Sequence, residues 1–256
     1  MIDTHCHLDV PAFDADREAA IARALAAGVT GILVPAIRPR TWPALAALVR
    51  AHACLRGAFG IHPQIVPELG EGELAGDLAA RIAEAARDAV AVGECGLDGG
   101  TADPELQERV FRAHVRAARA LGKPLVVHVL RAHDRTPQVL REEGAHTVGG
   151  ILHSYSGGAA LVPVYRDLGM AFSFAGPVTY PNARKPVAAA RAVPAELLLA
   201  ETDAPDQAPA AHRGGRSEPA YLPDVIAGLA AARGQDLPAV TALVTANARR
   251  ILSWSP

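Results

Sequence analysis

Six residues able to bind a divalent metal recur along the chain, and nearly every one closes a short apolar run: His5, His7, Glu94, His128, His153 and Asp203. Imidazole nitrogen mixed with carboxylate oxygen suits Zn²⁺ and Mn²⁺, whereas Mg²⁺ prefers more oxygen and keeps more of its water. Four imidazoles and two carboxylates can hold two ions if one carboxylate is shared. Two ions ~3.5–4 Å apart acidify a bound water and clamp both the attacking and the leaving oxygen of a hydrolysis. The expected cofactors are therefore two divalent metal ions, Zn, Mn or Mg. Taken singly, each residue has a blander account. An isolated HxH pair is weak evidence, Glu94 reads as a loop glutamate, His128 and His153 as hydrogen-bonded core histidines, and Asp203 as a helix cap. It is their shared placement at strand ends that overturns these accounts together.

Elements must bring the six together. In a strand, residues i and i+2 share a side, so His5 and His7 face one ion while Cys6 faces away. Glu94 follows Val90-Ala91-Val92-Gly93, and Gly93 and Gly96 clear side chains from around it. Strands are predicted over residues 1–5, 31–35, 57–61, 89–93, 124–128, 149–153, 170–174 and 197–201. Helical spacing separates them. It is clearest over 105–121, where Leu106, Val110, Ala113 and Ala117 recur on one face, with Asp103 as a cap, Pro104 at the first position and Gly122 after the end. Gly28, Gly144, Gly169 and Gly234 mark further helix ends. Eight strand–helix units predict a (β/α)8 TIM barrel occupying residues 1–256 as one domain; a doubly wound open sheet is the alternative. Functional groups of such a barrel collect at the C-terminal ends of its strands, and Glu201 and Asp203 should face one side there. The Pro/Ala/Gly/Arg-rich stretch 204–216 follows the last strand and should overhang the mouth.

Composition bounds the rest. Half the residues are hydrophobic and the formal net charge is −2, which supports a sizeable core and excludes a globally basic nucleic-acid coat. Three cysteines without CxxC spacing argue against a disulfide framework or zinc knuckle. Cys95 and Cys54 read as core, Cys54 in a helix-like stretch. Asp3 and the His pair fall where a signal peptide would be basic and then apolar, and no apolar run approaches the ~20 residues of a membrane span. A cytoplasmic protein is expected, with no membrane and no obligate protein partner.

Seven segments together resemble the TatD family of metal-dependent hydrolases, within the amidohydrolase superfamily. They are Asp3-Thr4-His5-Cys6-His7-Leu8-Asp9, Gly60-Ile61-His62-Pro63, Gly93-Glu94-Cys95-Gly96-Leu97-Asp98, Pro124 through His128, His153-Ser154-Tyr155-Ser156-Gly157, Glu201-Thr202-Asp203-Ala204-Pro205 and Asn247 through Leu252. The resemblance implies that His5, His7 and Asp203 hold one metal and that His128 and His153 hold the other. Glu94 then bridges them, where many related enzymes use a carbamylated lysine. Glu94 and Asp203 become the catalytic carboxylates, Asp203 also acting as base toward the attacking water. The activity implied is that of a deoxyribonuclease cleaving phosphodiester bonds at DNA ends, single-stranded or 3′, with a hydroxide activated by the two ions. The alternative is hydrolysis of a carbonyl ester or amide, such as deacylation of D-aminoacyl-tRNA. A binding protein with a vestigial site is the third reading, and six intact ligand positions argue against it.

Two segments depart from the common family pattern. Leu130 stands where many relatives carry an arginine two residues after the strand-five histidine, with Arg131 one step later, as in a YjjV-like branch. Asp98 is followed by Gly99-Gly100 rather than an aromatic residue. His62, pinned by Pro63, and Arg131 are the candidate substrate-binding residues. His133, Arg135, Arg184, Lys185, Arg213 and Arg216 would extend a positive rim, with Tyr155 and Tyr180 available to stack on bases.

Overall fold

Short apolar runs separated by amphipathic helices bury both faces only when the strands pair in parallel with the helices outside. The structure, a computed structural model describing residues 1–254, takes this arrangement. Eight strands lie side by side in chain order: β1 (Ile2–Asp3), β2 (Gly31–Pro35), β3 (Leu55–Phe59), β4 (Ala91–Asp98), β5 (Leu125–Leu130), β6 (Gly150–Leu152), β7 (Met170–Phe174) and β8 (Leu198–Ala200). Beyond the ends of β1 and β8 the chain closes the ring. Asp203 N donates to His5 O at 2.9 Å, His7 N donates to Ala204 O at 2.8 Å, and Cys6 bridges Ala204 in parallel. The barrel predicted from the strand–helix count is the fold observed.

Side-chain alternation divides the core. One residue from each strand fills the lower interior: Ile2, Leu33, Ala58, Ala91, Val126, Ile151, Ala171 and Leu199. Trp254, Leu252 and Ala248 close the floor beneath them. The intervening residues, such as Ile32, Val34, Leu125 and Val127, pack outward against the helices. Two residues higher the interior turns polar, with Thr4, His128, His153, Ser173 and Glu201.

Several boundaries differ from those expected. Strand β4 continues through Glu94 to Asp98, and its register against β5 shifts between Val92 and Cys95. That irregularity adds a residue on one strand and re-aims a side chain, which brings Glu94 inward. Gly96 makes the irregularity feasible: a Cβ there would sit 2.0 Å from His128 O. His128 lies inside β5 rather than at its end. Around the helix Pro104–Leu121, Asp103 makes no side-chain cap, because its backbone is left-handed (φ 56°). Gln107 secures that turn instead, donating to Ala102 O at 2.8 Å. Cys54 is half-buried in the turn before β3, not in a helix. All three cysteines are free, and no helix among the described residues is long and apolar enough to cross a membrane.

Candidate metal centre

Glu94 sits at the centre of the upper interior with no solvent exposure. Its two oxygens face different histidines. Oε2 is 3.1 Å from His5 Nε2 and 3.4 Å from His7 Nε2. Oε1 is 3.2 Å from His128 Nδ1, 2.9 Å from His153 Nε2 and 3.0 Å from His62 Nε2. Asp203 Oδ1 stands 3.7 Å from His5 Nε2 and 4.0 Å from His7 Nε2. Within each pair the ring nitrogens nearly touch, at 3.1 Å for His5 and His7 and 3.0 Å for His128 and His153. Nitrogens this close repel unless a proton or a cation lies between them.

The donor set fits a cation. Glu94 Oε2 is buried without a hydrogen-bond partner, although two imidazoles flank it. Three overlapping groups, His5–His7–Asp203, His5–Glu94–His153 and His62–Glu94–His128, each bring donor atoms within 4.8 Å of one another.

The outer nitrogens decide which lone pairs point inward. His7 Nδ1 donates to Pro35 O at 3.3 Å, so Nε2 is the nitrogen turned to Glu94 and left for an ion. His128 Nε2 lies 3.3 Å from Asp98 Oδ2, which leaves Nδ1 for the centre. Gln64 Nε2 and Gly100 N hold that aspartate at 2.7 and 2.8 Å. His153 Nδ1 turns toward Glu201 Oε1 at 3.5 Å. His62 is wired the other way. Its Nδ1 accepts the Gln64 backbone N–H at 3.1 Å, so a neutral ring carries its proton on Nε2. His62 therefore serves as a hydrogen-bond donor at the rim of the centre, and the third group lacks a free nitrogen lone pair there.

Protonation follows the same geometry. Burial and the charge of His153 lower the His5 pKa to about 4. For His7, burial pulls down, but the hydrogen bond and charge of Glu94, with Asp203, carry it up to about 9. His153 is raised well above its ordinary value in spite of burial, chiefly by Glu94 and Glu201. Burial works against ionised Glu94, yet the surrounding imidazoles hold it well below the usual carboxylate range. Burial raises Asp203 to about 6, partly offset by His153. Without an ion His7 and His153 thus hold protons, and a cation must displace them.

The centre opens into a cavity of 620 Å³. His7, His62, His128, His153 and Asp203 contribute to its lining, and Val10, Ile37, Ile65, Val129, Leu130 and Pro205 form aliphatic walls. Neither Arg nor Lys lines it among the described residues. Arg131 is exposed and outside the lining: β5 runs on to Leu130, which takes the wall position, and the chain then turns at Arg131 (φ 53°). Arg135 is engaged by Glu108 at 2.7 Å, and Arg216 by Asp16 at 2.7 Å and Glu218 at 2.8 Å. His133 bonds Tyr165 OH and Ser156 Oγ. Tyr155 is buried edge-on against Phe172 and cannot stack on a base. Arg131, Arg184, Lys185 and Arg213 remain exposed, with Arg213 over the Tyr180 ring at 4.9 Å.

The family model described as TatD related DNase matches residues 2–253. The chain belongs to the TatD family. It is 32% identical over 253 residues to the Bacillus subtilis uncharacterized metal-dependent hydrolase YabD, covering 98% of each chain. It is 36% identical over 268 residues to the Mycobacterium tuberculosis uncharacterized metal-dependent hydrolase TatD, covering 99% of each. The crystal structure of YjjV, the TatD homolog from Escherichia coli, superposes with a TM-score of 0.91 at 30% identity, covering 100% of this chain and 98% of that one.

Within this TatD chain all six predicted ligands meet, and His62 joins them. Asp98, Glu201, Gln64 and Gln207 also border the centre without having been assigned a role from sequence. Glu201 carried a signal, standing two residues before Asp203 and hence on the same side. Asp98 stood four residues after Glu94 within a quoted motif. Gln64 and Gln207 carried none, since loop backbone aims them.

Proposed function

We propose that this TatD-type metal-dependent hydrolase cleaves phosphodiester bonds at the ends of DNA strands. The observation that carries the reading is the buried Glu94 carboxylate, one oxygen turned to His5 and His7 and the other to His128 and His153. His5, His7 and Asp203 would hold one ion, His128 and His153 the other, with Glu94 between them. Bound divalent ions there supply Lewis acidity and acidify water. Asp203, buried with a pKa raised to about 6, accepts the proton of the attacking water near neutral pH. His62 lines the cavity with its Nε2–H donating to Glu94 Oε1 at 3.0 Å, and a phosphate oxygen entering there would compete for that proton. The exposed Arg131, Arg184, Lys185 and Arg213 offset the charge of the strand outside a cup that suits an end better than a continuous duplex.

A second reading has its own support. Aliphatic walls without a lysine or arginine favour the acyl group of a carbonyl ester or amide, as in D-aminoacyl-tRNA. The deciding experiment incubates metal-loaded protein with single-stranded DNA, duplex DNA, D-aminoacyl-tRNA and a simple ester. Chelator and Asp203→Asn serve as controls that abolish genuine turnover. Shortening of DNA from its ends is the expected result. Intact DNA with Mg²⁺, Mn²⁺ and Zn²⁺, alongside cleavage of an acyl substrate, would replace the first reading with the second.

A further inference from the structure

Gln207 lies four residues beyond Asp203, in the loop after β8, and lines the cavity. Its Nε2 donates to Asp203 Oδ2, and its Oε1 accepts from Ser154 Oγ at 2.8 Å. Chemistry sets the direction of this chain. An ionised carboxylate only accepts, so the amide nitrogen must face Asp203 and the amide oxygen must face the hydroxyl. Ser154 is anchored in turn, because its backbone N–H donates to Glu201 Oε1 at 2.5 Å. Glu201 Oε1 is also the atom 3.5 Å from His153 Nδ1.

The backbone is shaped for this contact. Ser154, Asp203 and Gln207 all adopt left-handed φ values, of 40°, 52° and 52°. Few residues other than glycine do so, and such strain gathers where surrounding contacts over-determine a conformation. A second element makes room: a Cβ on Gly176, after β7, would lie 2.0 Å from Gln207 O. Three loops, following β6, β7 and β8, thus converge on Gln207, the β6 loop at its side-chain amide and the β7 loop at its backbone carbonyl.

With Oδ2 occupied, Oδ1 is the Asp203 oxygen left facing His5, His7 and His153, at 3.7, 4.0 and 4.0 Å. We infer that Gln207 is a positioning residue for Asp203, its amide held by Ser154 so that one carboxylate oxygen is fixed and the other stays turned to the imidazoles. The inference rests on Asp203 being a metal-holding carboxylate of the centre. Partners one step outside a metal's ligands orient those ligands, and their loss costs about 10- to 100-fold in metal affinity or activity.

The test compares full-length wild type, Gln207→Leu, Ser154→Ala, the double variant and Asp203→Asn. Mn²⁺ alone is titrated calorimetrically, and turnover is followed on bis(p-nitrophenyl) phosphate, a chromogenic phosphodiester. Thermal midpoints of the metal-free proteins establish that each variant folds. Gln207→Leu should weaken Mn²⁺ binding about 10- to 100-fold and lower kcat at saturating Mn²⁺ with KM held. Ser154→Ala should show a smaller loss of the same kind, and stands in should Gln207→Leu fail to fold. The double variant should be no worse than Gln207→Leu, because Ser154 acts through the amide. Unchanged Mn²⁺ binding and kcat with a raised KM would make Gln207 a substrate contact and overturn the inference. Losses that multiply in the double variant would overturn it as well. If Asp203→Asn itself keeps wild-type Mn²⁺ binding and turnover, the assignment of Asp203 fails, separately from that of Gln207.

Discussion

The lower and upper halves of the barrel interior are built on the same eight strands, two residues apart, and their chemistry is opposite. Below lie Ile2, Leu33, Val126, Ile151 and Leu199, sealed by Trp254. Above lie His128, His153 and Glu201, two residues further along β5, beyond β6 and beyond β8, with Glu94 and His5 beside them. Burial stabilises the lower layer in proportion to the apolar area removed from water. Burial destabilises the upper layer, since an ionised group out of water is tolerated only against an opposite charge or a metal. One half therefore holds the fold, and the other is held by it. Perturbing one half should leave the property of the other untouched, and that is the measurable form of the contrast.

The largest effect belongs to the shared carboxylate. Glu94→Gln keeps the shape but removes the charge that both imidazole pairs face. Loss of a group in direct contact should exceed what an outer partner costs, so turnover is expected to fall by more than about 100-fold. Metal content by elemental analysis should fall with it. Retention of two ions per chain by this variant would remove Glu94 from the centre. On the other side of the contrast, Trp254→Ala should cost about 3–5 kcal/mol in denaturant unfolding. Its affinity for metal should match wild type, and a weakened affinity would show that floor and centre are coupled.

Asp98 tests how far the upper half extends. It reaches the ligands of the centre through His128 Nε2, at 3.3 Å, while Gln64 Nε2 holds the same oxygen at 2.7 Å. Asp98→Asn is expected to lower metal affinity about 10- to 100-fold, with little change in the unfolding midpoint of the metal-free protein. Equal losses of stability would instead make Asp98 part of the scaffold, through the Gly100 N–H that its carboxylate holds.

The pH response should also separate the halves. The folded pKa of His7, about 9, lies above its ordinary 6.5. Its contribution to stability is then complete below pH 6.5 and is lost as pH rises through about 9. The metal-free protein should accordingly weaken over that window. Metal affinity should move oppositely, because a protonated imidazole cannot ligate and binding must release protons. Calorimetry in buffers of different ionisation enthalpy measures that release at pH 7, and absence of net release would contradict the arrangement. The lower layer holds no titratable group, so Trp254→Ala should shift the whole stability curve without changing its slope.

What could be read from the sequence follows the same division. His128 and His153 were legible because each follows a short apolar run that reads as a strand of the barrel. The inward aim of Glu94 was not, because it depends on an irregularity between β4 and β5 that no local pattern announces. Loop residues were the least legible. Arg131 was expected to contact substrate and is exposed outside the cavity, since one further residue of β5 puts Leu130 on the wall. Arg135 and Arg216 were expected at a cationic rim and are neutralised by carboxylates brought close only by folding. Strand periodicity constrains where a side chain points, whereas a loop's aim is decided by partners distant in the chain.

The smallest effect is expected where the halves meet. Ser173 Oγ lies 2.8 Å from Thr4 Oγ1, just above the apolar layer, and its hydroxyl favours the ionised form of Glu201, the carboxylate behind His153. Ser173→Ala removes one buried hydroxyl while Thr4 keeps its bond to Ala200 O, so no donor is stranded. Losing one such bond costs about 0.5–1.5 kcal/mol of stability. Glu201 then loses a polar neighbour that favours its ionised form, and metal affinity should drop by less than about tenfold, being one step further from the ligands than Asp98. Both shifts together would mark Ser173 as the seam of the two layers. A stability loss with metal affinity unchanged would move the boundary upward and leave Glu201 as the lowest residue of the centre.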